Sequence, residues 1–216
     1  MVTPRRGRFI AFEGGEGCGK STQARLLAVA LAARGIDCVS TREPGGTPGA
    51  EAIRALLLDS AVPAWGVAAE ALLFAAARAD HVKRLIEPAL GQGRWVISDR
   101  FVDSNRAYQG GAGGLGDEAV LALHAIGSNG LLPDMTILLE VDQATAAARL
   151  AARDRGGGDA IGGRGATYHA AVAAAFAHLA AAEPVRFARV DGRGAPEAVQ
   201  ARVLAALAPL LATDAC

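Results

Sequence analysis

Eight consecutive residues near the amino terminus, Gly14-Gly15-Glu16-Gly17-Cys18-Gly19-Lys20-Ser21, satisfy the spacing G-x-x-x-x-G-K-[ST] of a polyphosphate cradle. The glycines let the backbone wrap closely around an anion, with successive N–H groups and the positive end of the next helix turned towards it. Lys20 adds a mobile point charge, and Ser21 a hydroxyl that can complete the oxygen shell of Mg²⁺. Such a loop needs a strand before it and a helix after it. Both are in place: Arg8 to Glu13 is a short apolar run, and Leu26, Leu27, Ala30 and Leu31 recur at helical spacing as far as Arg34-Gly35.

Further clusters carry chemistry. The stretch Arg42-Glu43-Pro44-Gly45-Gly46-Thr47-Pro48-Gly49 follows a second strand-like segment, Asp37 to Thr41, and its prolines and glycines forbid helix. An arginine at the carboxyl end of a strand faces the same crevice as the phosphate loop in a parallel sheet. A solvated Arg42–Glu43 pair fits the spacing equally well. Phe74 and Arg78 are four apart and share a helix face, where a ring could stack a base and a guanidinium donate to its carbonyl. A core phenylalanine beside a surface arginine is the alternative. Asp99-Arg100-Phe101 ends the apolar strand Trp95 to Ser98, which puts a carboxylate where a Walker-B-type acid holds Mg²⁺ or its waters, with Arg100 able to bridge phosphates. Ser104, Asn105, Tyr108 and Gln109 come next, either a substrate wall or a solvated helix face.

The elements that hold these groups alternate along the chain. Helices are predicted from about Ala68 to Leu90, Gly116 to Ser128, Gln143 to Arg153, Thr167 to Glu183 and, after Pro196, to about Leu211, with strands over Met135 to Val141 and Val185 to Val190. Five strands separated by helices predict a parallel sheet covered on both faces, with ligands at the carboxyl ends of the strands. Asp154 to Gly165 is rich in glycine and contains Arg155 and Arg164; it predicts a mobile, anion-touching lid at about 154–165, or else a surface loop with incidental charge. His81, His124, His169 and His178 show no metal or general-base pairing and are expected to be surface or satisfied core groups.

At 216 residues the chain suits one domain with a sizeable core. With 22 basic and 22 acidic side chains the formal charge is zero, so no general attraction to nucleic acid or a membrane is implied. Cys18, Cys38 and Cys216 have no C-x-x-C or metal spacing, which points to a reducing compartment. No signal-like or membrane-length apolar run occurs, and a cytoplasmic location is expected.

From Arg8 to Leu211 the chain resembles bacterial thymidylate kinases. The resemblance is carried by Phe12-Glu13-Gly14 with the phosphate loop, Thr41-Arg42-Glu43-Pro44-Gly45-Gly46-Thr47, Phe74 through Arg78, Asp99-Arg100-Phe101 and Ala107-Tyr108-Gln109-Gly110, in the family's order and approximate spacing. It implies an α/β P-loop NTPase-type three-layer sandwich with a five-stranded parallel sheet, phosphorylation of dTMP by ATP with Mg²⁺, and a homodimer. By the same resemblance, Gly14, Gly15, Glu16, Gly17, Cys18, Gly19, Lys20, Ser21 and Thr22 would hold ATP, with Arg149 towards adenine and Arg193 on the same side. Ser21 and Asp99 would take Mg²⁺. Glu16 would lie near the acceptor's 3′-hydroxyl, and Arg42 and Arg100 would clamp the dTMP phosphate and the transferring group. Phe74 would stack on thymine and Arg78 donate to its carbonyl. Pro44, Ser104, Asn105 and Gln109 would line the dTMP pocket, and Tyr108 would crowd the ribose 2′ position.

One stretch departs from the family. Relatives with a non-basic phosphate loop, as here with Glu16 and Cys18, carry D-R-x-E in the lid, whereas the matching stretch is Asp159-Ala160-Ile161-Gly162. The expectation is that Arg153 or Arg155, or failing them Arg164, replaces the lost catalytic cation. A kinase of another monophosphate would need a different base wall, and a GTPase would need an N-K-x-D that the chain lacks. A nucleotide-binding module without turnover is the alternative raised by the altered lid.

Overall fold

The apolar run before the phosphate loop is buried along its whole length, as a middle strand covered on both faces must be. In the computed structural model, which describes residues 5–59, 61, 65–153 and 164–214, that run is β1 (Phe9–Glu13). It lies between β3 (Trp95–Asp99) and β4 (Met135–Glu140), with β2 (Cys38–Arg42) and β5 (Phe187–Asp191) at the edges. The order is β2-β3-β1-β4-β5 and every pairing is parallel. The loops after β1, β2 and β3 therefore leave from one edge of the sheet.

The helices are α1 (Lys20–Ala32), α2 (Pro48–Leu58), α3 (Val67–His81), α4 (Glu87–Gly91), α5 (Val102–Asn105), α6 (Asp117–Ser128), α7 (Gln143–Arg153), α8 (Ala166–Ala182) and α9 (Pro196–Asp214). A wide π-helical turn, Val82–Ile86, joins α3 to α4 without a break, so the helix predicted to end near Leu90 is one rod. A second wide turn, Arg106–Ala112, prolongs α5.

Side chains of β1 alternate between two layers with the strand period of two. Ile10 and Phe12 pack with Leu27 and Leu31 of α1 and Val203 and Leu207 of α9. Phe9 and Ala11 meet Val82, Ile86 and Val120 on the other face, where Leu138 and Phe187 also meet Val172 and Phe176 of α8. The result is the expected three-layer α/β sandwich. Among the described residues no helix is long and apolar enough to cross a membrane.

Several strand boundaries move by one or two residues. The second strand runs one residue past Thr41, and Arg42 is its last paired position, opposite Asp99. The last strand starts at Phe187 instead of Val185, because the N–H groups of Arg186 and Phe187 close a turn on the Glu183 carbonyl at 3.0 and 3.1 Å. Of the predicted lid, residues 154–163 lie outside the described residues.

Candidate active site

The phosphate loop requires glycine where the backbone turns left-handed against its neighbours. Gly14 has φ +134°, and a Cβ there would lie 2.4 Å from the Leu139 carbonyl oxygen; Gly17 has φ +73°, and a Cβ would lie 2.6 Å from that of Ala146. Lys20 opens α1 and turns back, its Nζ donating to the carbonyls of Gly15 at 2.7 Å and Gly14 at 3.1 Å. Burial and the nearby Arg100 oppose its charge, but the fields of Cys18, Glu16 and Asp99 outweigh them and its pKa lies above the usual lysine value.

The end of β3 meets the first turn of α1, where the Ser21 hydroxyl donates to Asp99 Oδ2. Two oxygen donors at a phosphate loop fit Mg²⁺, which keeps waters and phosphate oxygens and needs few protein ligands. Among the described residues there is no cluster of three or more carboxylate, histidine or cysteine groups that would suit an all-protein cage.

Arg100 adopts φ +72°, a left-handed conformation that costs a non-glycine residue about 1–3 kcal/mol. It is held on both sides. Its N–H donates to Phe12 O at 2.9 Å, and its carbonyl accepts the Ser98 hydroxyl at 2.7 Å. The buried Glu13 carboxylate then fixes the following turn, accepting Phe101 N–H at 2.8 Å and Ser104 N–H at 3.0 Å. So oriented, the guanidinium reaches the Ser104 hydroxyl at 2.9 Å, the Gly14 carbonyl at 3.3 Å and the Glu16 carboxylate. Burial disfavours its charge, yet Tyr108, Glu16 and Glu13 hold its pKa well above the arginine norm.

Phe74 and Arg78 are both buried and both line the cleft, so Arg78 is not the surface arginine of the alternative reading. Arg78 Nε donates to Glu43 Oε2 at 2.8 Å and Nη2 to Asn105 Oδ1. Glu43 is thus a buried partner of Arg78 and of His81, whose Nδ1 is 3.0 Å away, and is not half of a solvated pair. Arg42 instead pairs with Glu51 at 3.0 Å on the exposed side. Asn105 Nδ2 donates to Gln109 Oε1 at 2.8 Å, and Gln109 Nε2 to Glu70 Oε2 at 3.1 Å. Sequence reasoning assigned no role to Glu13, Glu43 or Glu70. Glu13 and Glu43 lie inside stretches that carry the resemblance, and Glu70 precedes Phe74 by four and Arg78 by eight and so shares their helix face.

These groups line two neighbouring cavities. One, of about 400 Å³, is lined by every residue expected to touch dTMP. The other, of about 370 Å³, is lined by Gly17, Gly19, Lys20, Thr22 and Arg149. Glu16, Ser21, Asp99 and Arg100 line both. Gly14, Gly15 and Cys18 face a third cavity under the loop. Arg149 bonds the carbonyls of Gly192 at 2.9 Å and Cys18 at 3.3 Å, tying α7 to the phosphate loop.

Two of the expected cations behave differently. Arg193 is not among the lining residues; it is largely exposed and forms an ion pair with Asp191 at 2.9 Å. Arg164 turns to the base end, donating to Glu70 and, at 2.7 Å, to the Tyr168 hydroxyl, so the spare phosphate-side cation is not found there. Arg155 and the side chain of Arg153 lie outside the described residues.

The family model for thymidylate kinase matches residues 12–203. The thymidylate kinase of Rhizorhabdus wittichii is 58% identical over 205 residues, covering 95% of this chain and 99% of that protein. That of Bradyrhizobium diazoefficiens is 47% identical over 204 residues, covering 94% and 89%. The crystal structure of thymidylate kinase from Ehrlichia chaffeensis superposes with a TM-score of 0.75 at 31% identity, covering 94% of this chain and 98% of that one. With a family match over nearly the whole length and a cleft of this form, the chain belongs to the thymidylate kinase family.

Proposed function

We propose that the protein transfers the γ-phosphoryl group of ATP to dTMP, giving ADP and dTDP. The observation that supports this most directly is that the two cavities share Glu16, Ser21, Asp99 and Arg100 in their walls, which puts a donor and an acceptor on either side of one set of groups. The acceptor phosphate is already an anion, so little proton abstraction is needed; the work is to hold two repelling anions together. Lys20 exchanges its loop carbonyls for the donor's phosphate oxygens. Arg100, fixed by its strained turn, spans the transferring group, and Arg42 clamps the acceptor phosphate from the edge of the sheet. Glu16 holds Arg100 and lies near the acceptor's 3′-hydroxyl. Ser21 and Asp99 would hold Mg²⁺, which neutralises the donor's phosphate oxygens when bound. At the far end Phe74 stacks on the base, Arg78 donates to its carbonyl, and Tyr108 crowds the ribose.

In this reading Arg149 lies beside adenine, Arg153 or Arg155 supplies the cation missing at Ala160, and the chain acts as one catalytic unit within a cytoplasmic homodimer. The test is ADP release with Mg-ATP and each of dTMP, dUMP, dCMP, UMP and AMP. Turnover should be fastest with dTMP. Absence of dTMP-dependent ADP, or a preference for AMP or UMP, would overturn the assignment.

A further inference from the structure

Glu70 sits on α3 one turn before Phe74; it is only 4% exposed and is not among the residues lining the cleft. A run of hydrogen bonds nonetheless joins it to the base end. Arg78 donates to Asn105 Oδ1, Asn105 Nδ2 to Gln109 Oε1, and Gln109 Nε2 to Glu70 Oε2. One terminus, a guanidinium, can only donate, and the other, a carboxylate, can only accept. The two amides between them therefore have one allowed orientation. Reversing Asn105 would set N–H against N–H at Arg78, and reversing Gln109 would set oxygen against oxygen at Glu70, each leaving buried polar groups unpaired. Arg164 engages the other Glu70 oxygen, so both are occupied as acceptors.

The consequence lies in what the cleft presents. Gln109 Oε1 is on the side of Asn105 and Arg78, which line the cleft, and after accepting from Asn105 it keeps a lone pair. Arg78, a donor, lines the same cleft and is linked to Gln109 through Asn105. A donor and an acceptor on one wall complement a pyrimidine edge carrying a carbonyl beside an N–H, as in thymine and uracil. Cytosine carries the inverse, an amino group beside a bare ring nitrogen.

We propose that Glu70 is a specificity-determining positioning residue, which fixes the Gln109 and Asn105 amides so that the cleft admits a carbonyl/N–H base edge and refuses the amino-pyrimidine one. This rests on the reading that a pyrimidine base occupies the space between Phe74 and Arg78.

The experiment compares kcat/KM for dTMP and dCMP in the wild type, Glu70→Gln and the exchange Glu70→Gln/Gln109→Glu, with folding checked by thermal unfolding. A glutamine at 70 can donate or accept, which releases Gln109 to turn. The dTMP-to-dCMP ratio should fall by about tenfold or more through KM, with kcat on dTMP changed by less than about threefold, because the phosphate groups are untouched. The exchange restores an acceptor at 109 facing a donor at 70, and the ratio should recover to within about threefold of wild type. A packing role alone would lower both substrates together and leave the ratio where it was. An unchanged ratio in folded Glu70→Gln overturns the proposal, as does a folded double variant that fails to recover it. If Glu70→Gln does not fold, Glu70→Ala, which also frees the Gln109 amide, replaces it: a fallen ratio supports the proposal and an unchanged one overturns it. A wild type without dTMP turnover would instead overturn the functional reading itself, which keeps the two failures distinct.

Discussion

The Glu13 carboxylate accepts the Ser104 hydroxyl at 2.6 Å and the Ser104 backbone N–H at 3.0 Å, inside the protein and directly behind the phosphate loop. The same hydroxyl oxygen accepts from Arg100 at 2.9 Å. A carboxylate that faces away from both cavities thus sets the position of the arginine that spans them.

Replacing Glu13 by alanine strips the partners from two buried N–H groups, at about 1–3 kcal/mol each, and releases the left-handed turn at Arg100. Stability should fall by about 3 kcal/mol, and turnover should fall further than dTMP binding. Urea unfolding and steady-state kinetics measure the two; a loss under about 1 kcal/mol would show that the turn holds itself.

Burial raises the Glu13 pKa from the ordinary 4.5 to about 7; Arg100 opposes the shift and Asp103 adds to it. Because the folded pKa is above the unfolded one, the native state keeps a proton that the unfolded chain releases, and stability declines as pH rises from about 4.5 to 7. His124, which burial takes from 6.5 down to about 4, acts oppositely: it contributes stability at neutral pH that is lost as pH falls through the same window. The two slopes partly cancel. Glu13→Gln removes one of them, so its stability should climb more steeply between pH 4 and 6.5 than that of the wild type. Parallel curves for the two proteins would refute the assignment.

Arg100 makes four separate contacts through one planar fork, with Gly14, Ser104, Glu16 and the Tyr108 hydroxyl, which a lysine cannot reproduce. Arg100→Lys should lower kcat by about 10²-fold or more while the protein stays folded, judged from ADP release at saturating nucleotides. A kcat within threefold of wild type would remove Arg100 from the phosphoryl step.

Ser21 and Asp99 are expected to share the cation. Ser21→Ala and Asp99→Asn should each raise the Mg²⁺ concentration for half-maximal rate by about tenfold, and chelation with EDTA should abolish turnover in the wild type. A Mg²⁺ titration that superposes on the wild-type curve would place the ion elsewhere.

Asp103 is fully buried and accepts from Arg186 at 2.6 and 2.8 Å, from Arg106 at 3.0 Å and from the Thr136 hydroxyl at 3.0 Å. Burial alone would raise its pKa, but the arginines hold it below the usual range. Asp103→Ala takes the fully buried acceptor from Arg186 and Arg106, leaving them Glu183 and Asp117 nearer the surface, and should cost about 3 kcal/mol in chemical unfolding. A change near zero would mean the arginines find solvent instead.

Much of this protein is determined by local rules that sequence obeys openly. The phosphate loop must carry glycine at 14 and 17 because a Cβ would strike Leu139 and Ala146, and the middle strand must be apolar on both sides because helices cover both. Those constraints repeat at fixed spacings, so the sheet, its covering helices and the positions of Lys20, Ser21, Asp99 and Arg100 follow from residue order. Pairing across the cleft has no period. Whether Glu43 meets solvent or Arg78, whether Arg164 serves phosphate or Glu70, and which end of the Gln109 amide faces Asn105 depend on groups 35, 94 and 39 residues apart in sequence. Only the folded chain decides these, because a buried donor accepts whichever acceptor packing brings within 3 Å.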